Sequence, residues 1–412
     1  MFRFASRAII TAGAAILLLS APLQAETVAV QTAQAQAPAA QSVGVVEKKV
    51  FAMPSYTTFG GKPIKDVKVG WESYGTLNAA KDNVIIVPHF FTGNSHAAGK
   101  YKAEDAAAGY WDYLIGPGKP IDTSTYFVVS VDSLVNLNTK DPNTTTTGPA
   151  STNPDTGKPY GMSFPIVTIR DFVNVQKALL DSLGVRKVHA AVGASMGAFQ
   201  SLEWAAAYPD FVERVVPVIG IGELNAFGVE RLNLWAAPIL IDPNWNDGDY
   251  YGKAEPVAGL AMALKEVTLD AGHWGWADKA FGRKLAQEGK SPLDSWDNKY
   301  AIEAGLDGIG AARAKNSDAN SFLYLVRANQ LFTVGQKASL EEGLALIKAK
   351  ALFIPAKSDL LLVPDYAKKA VAILKQQGKF ADLVELEGDR GHLDGVLNVA
   401  QAGDRIRDFL AK

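Results

Sequence analysis

Val188-His-Ala-Ala-Val-Gly-Ala-Ser-Met-Gly197, continued by Ala198 to Tyr208 and stopped at Pro209, decides the fold. Val188 to Val192 is an apolar run of strand length, and Met196 to Tyr208 carries apolar residues at helical spacing. Between them, Gly193-Ala-Ser-Met-Gly197 puts a serine on the turn from strand to helix. With glycine at 37 of 412 positions, the five residues alone are a weak signal. The strand that leads in and the helix that leads out supply the context that the pattern requires. A serine on so sharp a turn holds its hydroxyl clear of the sheet edge. Glycines two residues to either side let strand and helix approach, and the amides opening the helix face developing negative charge. The bland alternative is a glycine-lined packing turn; the functional reading makes Ser195 a nucleophile.

A serine nucleophile needs a base, and the base needs an orienting acid; behind a G-x-S-x-G turn the chain order is Ser, Asp or Glu, then His. Only His273 and His392 follow Ser195. His273 sits beside Trp274 and Trp276 and is expected as a packed or surface residue. His392, in Gly388-Asp-Arg-Gly-His392, follows the strand-like Leu383–Leu386 and is the expected base. Asp359, in Ala356-Lys-Ser-Asp359 after the strand-like Ala351–Ile354, is the expected acid. Both fall on loops at the C-terminal ends of strands, where parallel sheets build their sites. Asp365, Asp389 and Asp394 are rivals; Asp365 reads as an N-terminal helix charge, and the other two lie very near His392 in sequence. One oxyanion amide is expected from Met196. The second is expected from the Phe90–Thr92 loop, with Phe91 and Thr92 as candidates. His89 and His96 in that loop read as loop-shaping, since neither their spacing nor their neighbours suit a metal.

Working outward, β-rich stretches run over Val50–Thr58 and Val67–Tyr74, then Asn83–Pro88, Tyr126–Val131 and Arg214–Ile219. Ile169–Leu183 has helical spacing and stops at Gly184; Tyr366–Gln376 is helix-like. Strands alternating with helices predict an α/β fold, a mostly parallel sheet with helices on both faces. Asp132–Tyr160 is polar and reads as a long surface loop. Residues 223–335 break the alternation and hold five of the eight tryptophans (Trp235, Trp245, Trp274, Trp276 and Trp296). This stretch is expected as a helical lid over the strand ends. The core is then 46–222 with 336–412.

Composition bounds the chemistry. A net charge of −2 lacks the basic footprint of nucleic-acid binding. No cysteine means no disulfide, thiolate metal site or cysteine nucleophile. Arg3 and Arg7 precede the apolar run Ala8–Leu19 and small residues up to Ala25, the layout of a signal peptide over 1–25. Cleavage is expected after Ala25, with Ala35 and Ala37 as alternatives. Residues 26–45 read as a flexible leader. The expectation is a periplasmic or secreted protein that touches no membrane once the signal is removed.

Several runs resemble the homoserine O-acetyltransferase family of the α/β-hydrolase fold. These are Trp71-Glu-Ser-Tyr-Gly-Thr-Leu-Asn78, His89–Gly99, Trp111 with Gly116–Asp122, Thr147-Gly-Pro149 and Asn153–Gly161. Phe164–Asp171, Gly193–Pro209, Asp242-Pro-Asn-Trp245 and Asp318–Leu325 continue the likeness. It spans Val50 to His392 and implies acylation of Ser195 followed by transfer to an acceptor. Three departures bear on that acceptor. The family's arginine for the homoserine carboxylate falls at Ala236, with Arg231 five residues away. The family's aspartate directly after the histidine, for the homoserine amine, is Leu393, with Asp394 one place late. The Gly-rich, Cys-containing stretch is replaced by Val135–Thr147. An unpaired zwitterion in a partly desolvated pocket costs several kcal/mol, and acetyl-CoA is a cytoplasmic metabolite. The expected function is therefore an exported serine esterase without cofactor or metal, acting on a small-molecule ester or acyl donor. The alternative is an acyltransferase with an alcohol acceptor, and a homodimer is left open.

Overall fold

The computed structural model describes residues 41–412. The signal segment 1–25 and leader residues 26–40 lie outside the described residues. Eight strands form one sheet: β1 (Lys49–Thr57), β2 (Pro63–Tyr74), β3 (Val84–Ile86), β4 (Phe127–Val131), β5 (Val188–Ala194), β6 (Arg214–Val218), β7 (Lys350–Phe353) and β8 (Ala381–Leu383). Their spatial order is β1-β2-β4-β3-β5-β6-β7-β8. The β1–β2 hairpin turns at Gly60-Gly61 and pairs Lys49 with Trp71 and Thr57 with Pro63. β2 runs antiparallel to β4, and every later neighbour is parallel.

Side chains alternate across a strand, so each central strand feeds two cores. Val84 and Ile86 pack on one face with Phe172, Leu179 and Leu202; Ile85 and Val87 pack on the other with Trp111, Ile406 and Leu410. The first face is covered by α1 (Ile169–Ser182), which packs against α2 (Met196–Ala207). The α1 start is fixed by Asp171, whose Oδ2 accepts from Thr168 N–H at 2.7 Å. Its end is fixed by Gly184 at φ 72°.

Residues 223–335 leave the sheet after β6 and carry five helices: α3 (Ala226–Leu240), α4 (Val257–Asp270), α5 (Trp274–Ala280), α6 (Ala301–Ala314) and α7 (Ala319–Gln330). Their two ends pair, with Leu224 N–H on Phe332 C=O at 3.1 Å and Val334 N–H on Gly222 C=O at 2.8 Å. The chain then forms α8 (Leu340–Ala345), β7, α9 (Pro364–Gln376), β8, α10 (Asp394–Leu397) and α11 (Gly403–Ala411). Among the described residues, no helix is long and apolar enough to cross a membrane.

The 132–160 stretch departs from the surface loop its polarity suggests. Asp132, Ser133, Leu134, Val135, Asn136, Leu137 and Thr147 are buried. Burial is tolerated because polar partners take up the backbone groups. Ser133 N–H donates to His89 Nε2 at 3.0 Å, Asn136 N–H to Thr146 Oγ1 at 3.0 Å, and Thr145 N–H to Asp132 Oδ2 at 2.9 Å. A threonine-rich segment thus became a polar plug behind the 89–96 loop.

Candidate active site

Ser195 lies between β5 and α2 with φ 57° and ψ −121°. Such a backbone costs about 1–3 kcal/mol for a side-chain residue and persists only where its surroundings hold it. Here Ser195 N–H donates to Val218 C=O at 3.0 Å, and Ser195 C=O accepts from Ala198 and Phe199 at 2.8 and 3.1 Å. A Cβ at Gly193 would lie 2.4 Å from Gly197 O, and one at Gly197 would lie 2.3 Å from Pro88 O. Both glycines are therefore required by backbone approach, the second by the loop that follows β3.

His392 follows β8 on a short turn, Gly391–Leu393. Gly391 has φ 70°, and a Cβ there would sit 2.6 Å from Gly272 O at the end of α4. Asp359 follows β7. Its Oδ1 accepts from the amides of Leu361 and Leu362 at 2.8 and 2.9 Å, and its Oδ2 lies 2.7 Å from His392 Nδ1. His392 Nε2 lies 2.8 Å from Ser195 Oγ. Asp359 and His392 are 2 % and 6 % exposed. The carboxylate can only accept, so Nδ1 carries the proton and Nε2 is left to accept from the serine hydroxyl.

The rivals are engaged elsewhere. Asp394 is fully buried and accepts from Ser358 Oγ at 2.9 Å, from Arg390 N–H at 3.1 Å and from Asn398 Nδ2. It ties the Asp359 loop to the His392 loop, because Ser358 Oγ in turn accepts from Gly391 N–H at 3.1 Å. Asp389 lies 3.9 Å from Lys279, and Asp365 in the first turn of α9 lies 3.7 Å from Lys368. His273 caps α5, accepting from Gly275 N–H at 3.1 Å. Among the described residues, no group of histidines and carboxylates could hold a metal ion.

Met196 opens α2, so its N–H has no intrahelical acceptor. Phe91 is buried edge-on against Trp235 and Phe322, with centroids at 5.7 and 5.3 Å. It lines the same cavity as Ser195, whereas Thr92 lines a separate hollow with His96 and Tyr101. The tight turn closed by Gly93 N–H on Phe90 C=O at 2.9 Å swings Thr92 to that far side. Of the two loop candidates, only Phe91 shares space with the serine.

The cavity at Ser195 has a volume of about 40 Å³. Phe91, Phe199, Leu224, Leu232, Trp235, Leu361 and Leu362 line it with Asn329, and among the described residues no charged side chain does. Arg231 is committed elsewhere: its Nε pairs with Asp270 at 3.3 Å, and its Nη1 donates to Leu360 C=O at 2.7 Å. Ala236 is buried in the core. Of the five insertion tryptophans, only Trp235 reaches this cavity; Trp274 and Trp296 are exposed. The sequence reading missed Asn329, Leu361 and Leu362. The last two were signalled by the apolar run Leu360–Val363 directly behind Asp359.

A strained serine at the end of a parallel strand, hydrogen-bonded in series to a histidine and an aspartate from later strands, defines an α/β-hydrolase. The chain belongs to that family, whose model, described as the alpha/beta hydrolase fold, matches residues 84–397. Within it the chain is homoserine O-acetyltransferase-like. It is 38% identical over 371 residues to the homoserine O-acetyltransferase of Carboxydothermus hydrogenoformans, covering 90% of this chain and 96% of that one. The crystal structure of homoserine O-acetyltransferase from Bacillus anthracis superposes with TM-score 0.86 at 36% identity, covering 89% of this chain and 98% of that one. That of esterase E22 superposes with TM-score 0.85 at 52% identity, covering 89% and 100%.

Proposed function

We propose that this protein is an exported acyl-ester hydrolase acting through an acyl-Ser195 intermediate. In the first half-reaction, His392 Nε2 takes the Ser195 proton as Oγ attacks the ester carbonyl, and the amides of Met196 and Phe91 receive the oxyanion. The histidine returns the proton to the departing alkoxide. Asp359 holds the Nδ1–H tautomer and the imidazolium that forms. In the second half-reaction, His392 draws a proton from water as the water oxygen attacks the acyl carbon; the acyl C–Oγ bond then breaks, and His392 returns the proton to Ser195 Oγ, freeing the acid.

The observation that carries hydrolysis over transfer to an amino acid is the absence of any charged side chain around the cavity at Ser195. Asp394 offers no substitute at the ammonium position, because its carboxylate is enclosed by Ser358, Arg390 and Asn398. The volume favours a short acyl chain, being well below the roughly 150 Å³ of an apolar cavity that takes up benzene. The tryptophans of residues 223–335 lend no support to an aromatic substrate portion, as four of the five do not line this cavity.

The alternative, acyl transfer to an alcohol, has backing of its own. The homoserine O-acetyltransferases among its relatives favour transfer more than hydrolysis, and every residue of the first half-reaction would be shared. The test is p-nitrophenyl acetate with the Glu26–Lys412 protein and its Ser195→Ala variant, with and without homoserine. Release that requires Ser195 and ignores homoserine supports hydrolysis. Release accelerated by homoserine, with O-acetylhomoserine formed, selects transfer. Export is tested separately, by fractionating cells and sequencing the N-terminus of the recovered protein.

A further inference from the structure

His89 is the most enclosed histidine of the chain, with no exposed surface, and the reaction scheme does not use it. Its ring is held on both sides. Nε2 accepts from Ser133 N–H at 3.0 Å and from Asn136 Nδ2 at 3.1 Å. An amide N–H can only donate, so Nε2 is unprotonated and the ring proton sits on Nδ1. Nδ1 lies 2.8 Å from Phe90 C=O and donates to it. Burial pushes the His89 ring below the usual histidine range, which keeps it neutral and in this single tautomer.

The Phe90 carbonyl belongs to the same planar unit as the Phe91 N–H. The peptide is trans, as are all among the described residues, so the two bonds point in opposite directions. A hydrogen bond that draws the carbonyl back toward His89 therefore drives the Phe91 N–H forward, away from the polar plug. Gly93 N–H at 2.9 Å holds the same oxygen from a second side. Among the described residues, the Phe91 N–H itself meets no protein acceptor.

The preceding peptide is fixed as well. Gln200 Nε2 donates to His89 C=O at 3.1 Å. Trp204 Nε1, which can only donate, bonds Gln176 Oε1 at 2.7 Å, and Gln176 Nε2 bonds Gln200 Oε1 at 2.7 Å. That one-way donor sets both amide orientations, so α2 holds the loop at the height of its own nucleophile.

We propose that His89 is a positioning residue that keeps the Phe90–Phe91 peptide turned with its N–H toward the Ser195 oxyanion. The inference rests on the acyl-Ser195 reading and names the device that prepares its oxyanion site.

The test compares His89→Gln with His89→Asn. The asparagine amide can stand where Nδ1 stands and restore the donor to Phe90 C=O; the longer glutamine reaches the Nε2 position and leaves that oxygen without it. Active sites are first counted by stoichiometric fluorophosphonate labelling, and turnover is expressed per labelled serine. Two readouts follow: kcat and KM for p-nitrophenyl acetate, and inhibition by a trifluoromethyl ketone, whose adduct places an oxyanion in the hole. His89→Gln is expected to lower kcat about 100-fold, the scale for loss of one oxyanion donor, with KM nearly unchanged. Ketone affinity should fall in parallel, and His89→Asn should recover most of both. Equal turnover per labelled serine in wild type and His89→Gln overturns the proposal, as does an asparagine variant no better than the glutamine one. Should His89→Gln not fold, Asn136→Asp serves instead: its carboxylate pulls the proton to Nε2 and is expected to cost turnover in the same way. Unchanged turnover there overturns the proposal too. Failure of the wild type to label refutes the acyl-Ser195 reading itself.

Discussion

Asp359→Asn is the sharpest probe of the site, because the surroundings dictate how the new amide must sit. Oδ1 of Asp359 takes two backbone N–H groups, from Leu361 and Leu362 at 2.8 and 2.9 Å, while Oδ2 faces His392 Nδ1 at 2.7 Å. In the variant, the amide oxygen stays with the two amides and the NH₂ faces the histidine. Nδ1 must then accept, the ring proton moves to Nε2, and nothing remains to receive the Ser195 proton at 2.8 Å. Turning the amide round restores the useful tautomer but strands two buried N–H groups, each at about 1–3 kcal/mol. At about 4 kcal/mol for the pair, the competent arrangement falls to roughly one molecule in a thousand. Turnover per labelled serine is therefore expected to drop about 10³-fold, approaching the roughly 10⁴-fold loss that the same exchange causes in serine proteases. The assay is ester hydrolysis normalised by fluorophosphonate labelling, with Asp394→Asn as the comparator. A loss below tenfold for Asp359→Asn, or a larger loss for Asp394→Asn, would refute the assignment of Asp359 as the orienting acid.

Gly197→Ala forces a Cβ to 2.3 Å from Pro88 O, a backbone atom that cannot swing aside, so the loop after β3 must shift. A loss of about 1–3 kcal/mol in urea unfolding is expected, together with a fall in kcat while the protein remains folded. Leu232→Ala enlarges the cavity of about 40 Å³ at Ser195. Preference among p-nitrophenyl esters is expected to move from acetyl toward butyryl and hexanoyl; an unchanged ranking would place the acyl chain elsewhere. Burial raises the Glu72 carboxyl, yet the His96 hydrogen bond, the Lys48 ammonium and the Tyr101 hydroxyl together bring it below the usual range. A depressed folded value gives stability that is complete above the ordinary carboxylate range and is lost as pH falls through the folded value. The stability gap between wild type and Glu72→Gln is thus expected in full near pH 7 and to shrink below about pH 4, read by urea unfolding at each pH.

Much of this architecture was legible in the chain because it is local. Val188–Val192, Gly193–Gly197 and the helix after them are strand, turn and helix in succession, and period and glycine placement suffice to read them. Asp359 and His392 were legible for a different reason: topology sends the loops after successive parallel strands to one edge. What could not be read was set by distant partners. The Thr144–Thr147 run looked like solvent-facing chain. Thr147 is buried and the other three are half-buried, because Lys68, Asp132 and Ser133, far off in sequence or at the segment's start, supply the other halves of the run's hydrogen bonds. Asn329 escaped notice because it lies at the end of α7, more than a hundred residues after the serine whose cavity it lines.

Asp394 makes the same point from the side of function. Counted along the chain, a carboxylate two places after the histidine looks like a displaced substrate contact. In the fold it is the knot between the Asp359 and His392 loops, taking bonds from Ser358 on one and Arg390 on the other. A carboxylate with its acceptor sites so filled cannot turn toward a substrate ammonium without leaving those donors buried and unpaired, at about 1–3 kcal/mol apiece. Moving an acidic residue by one position thus changes its task from recognition to bracing. Under the function proposed above, the acceptor of the Ser195 acyl group needs no charge, a condition that water and a neutral alcohol both meet.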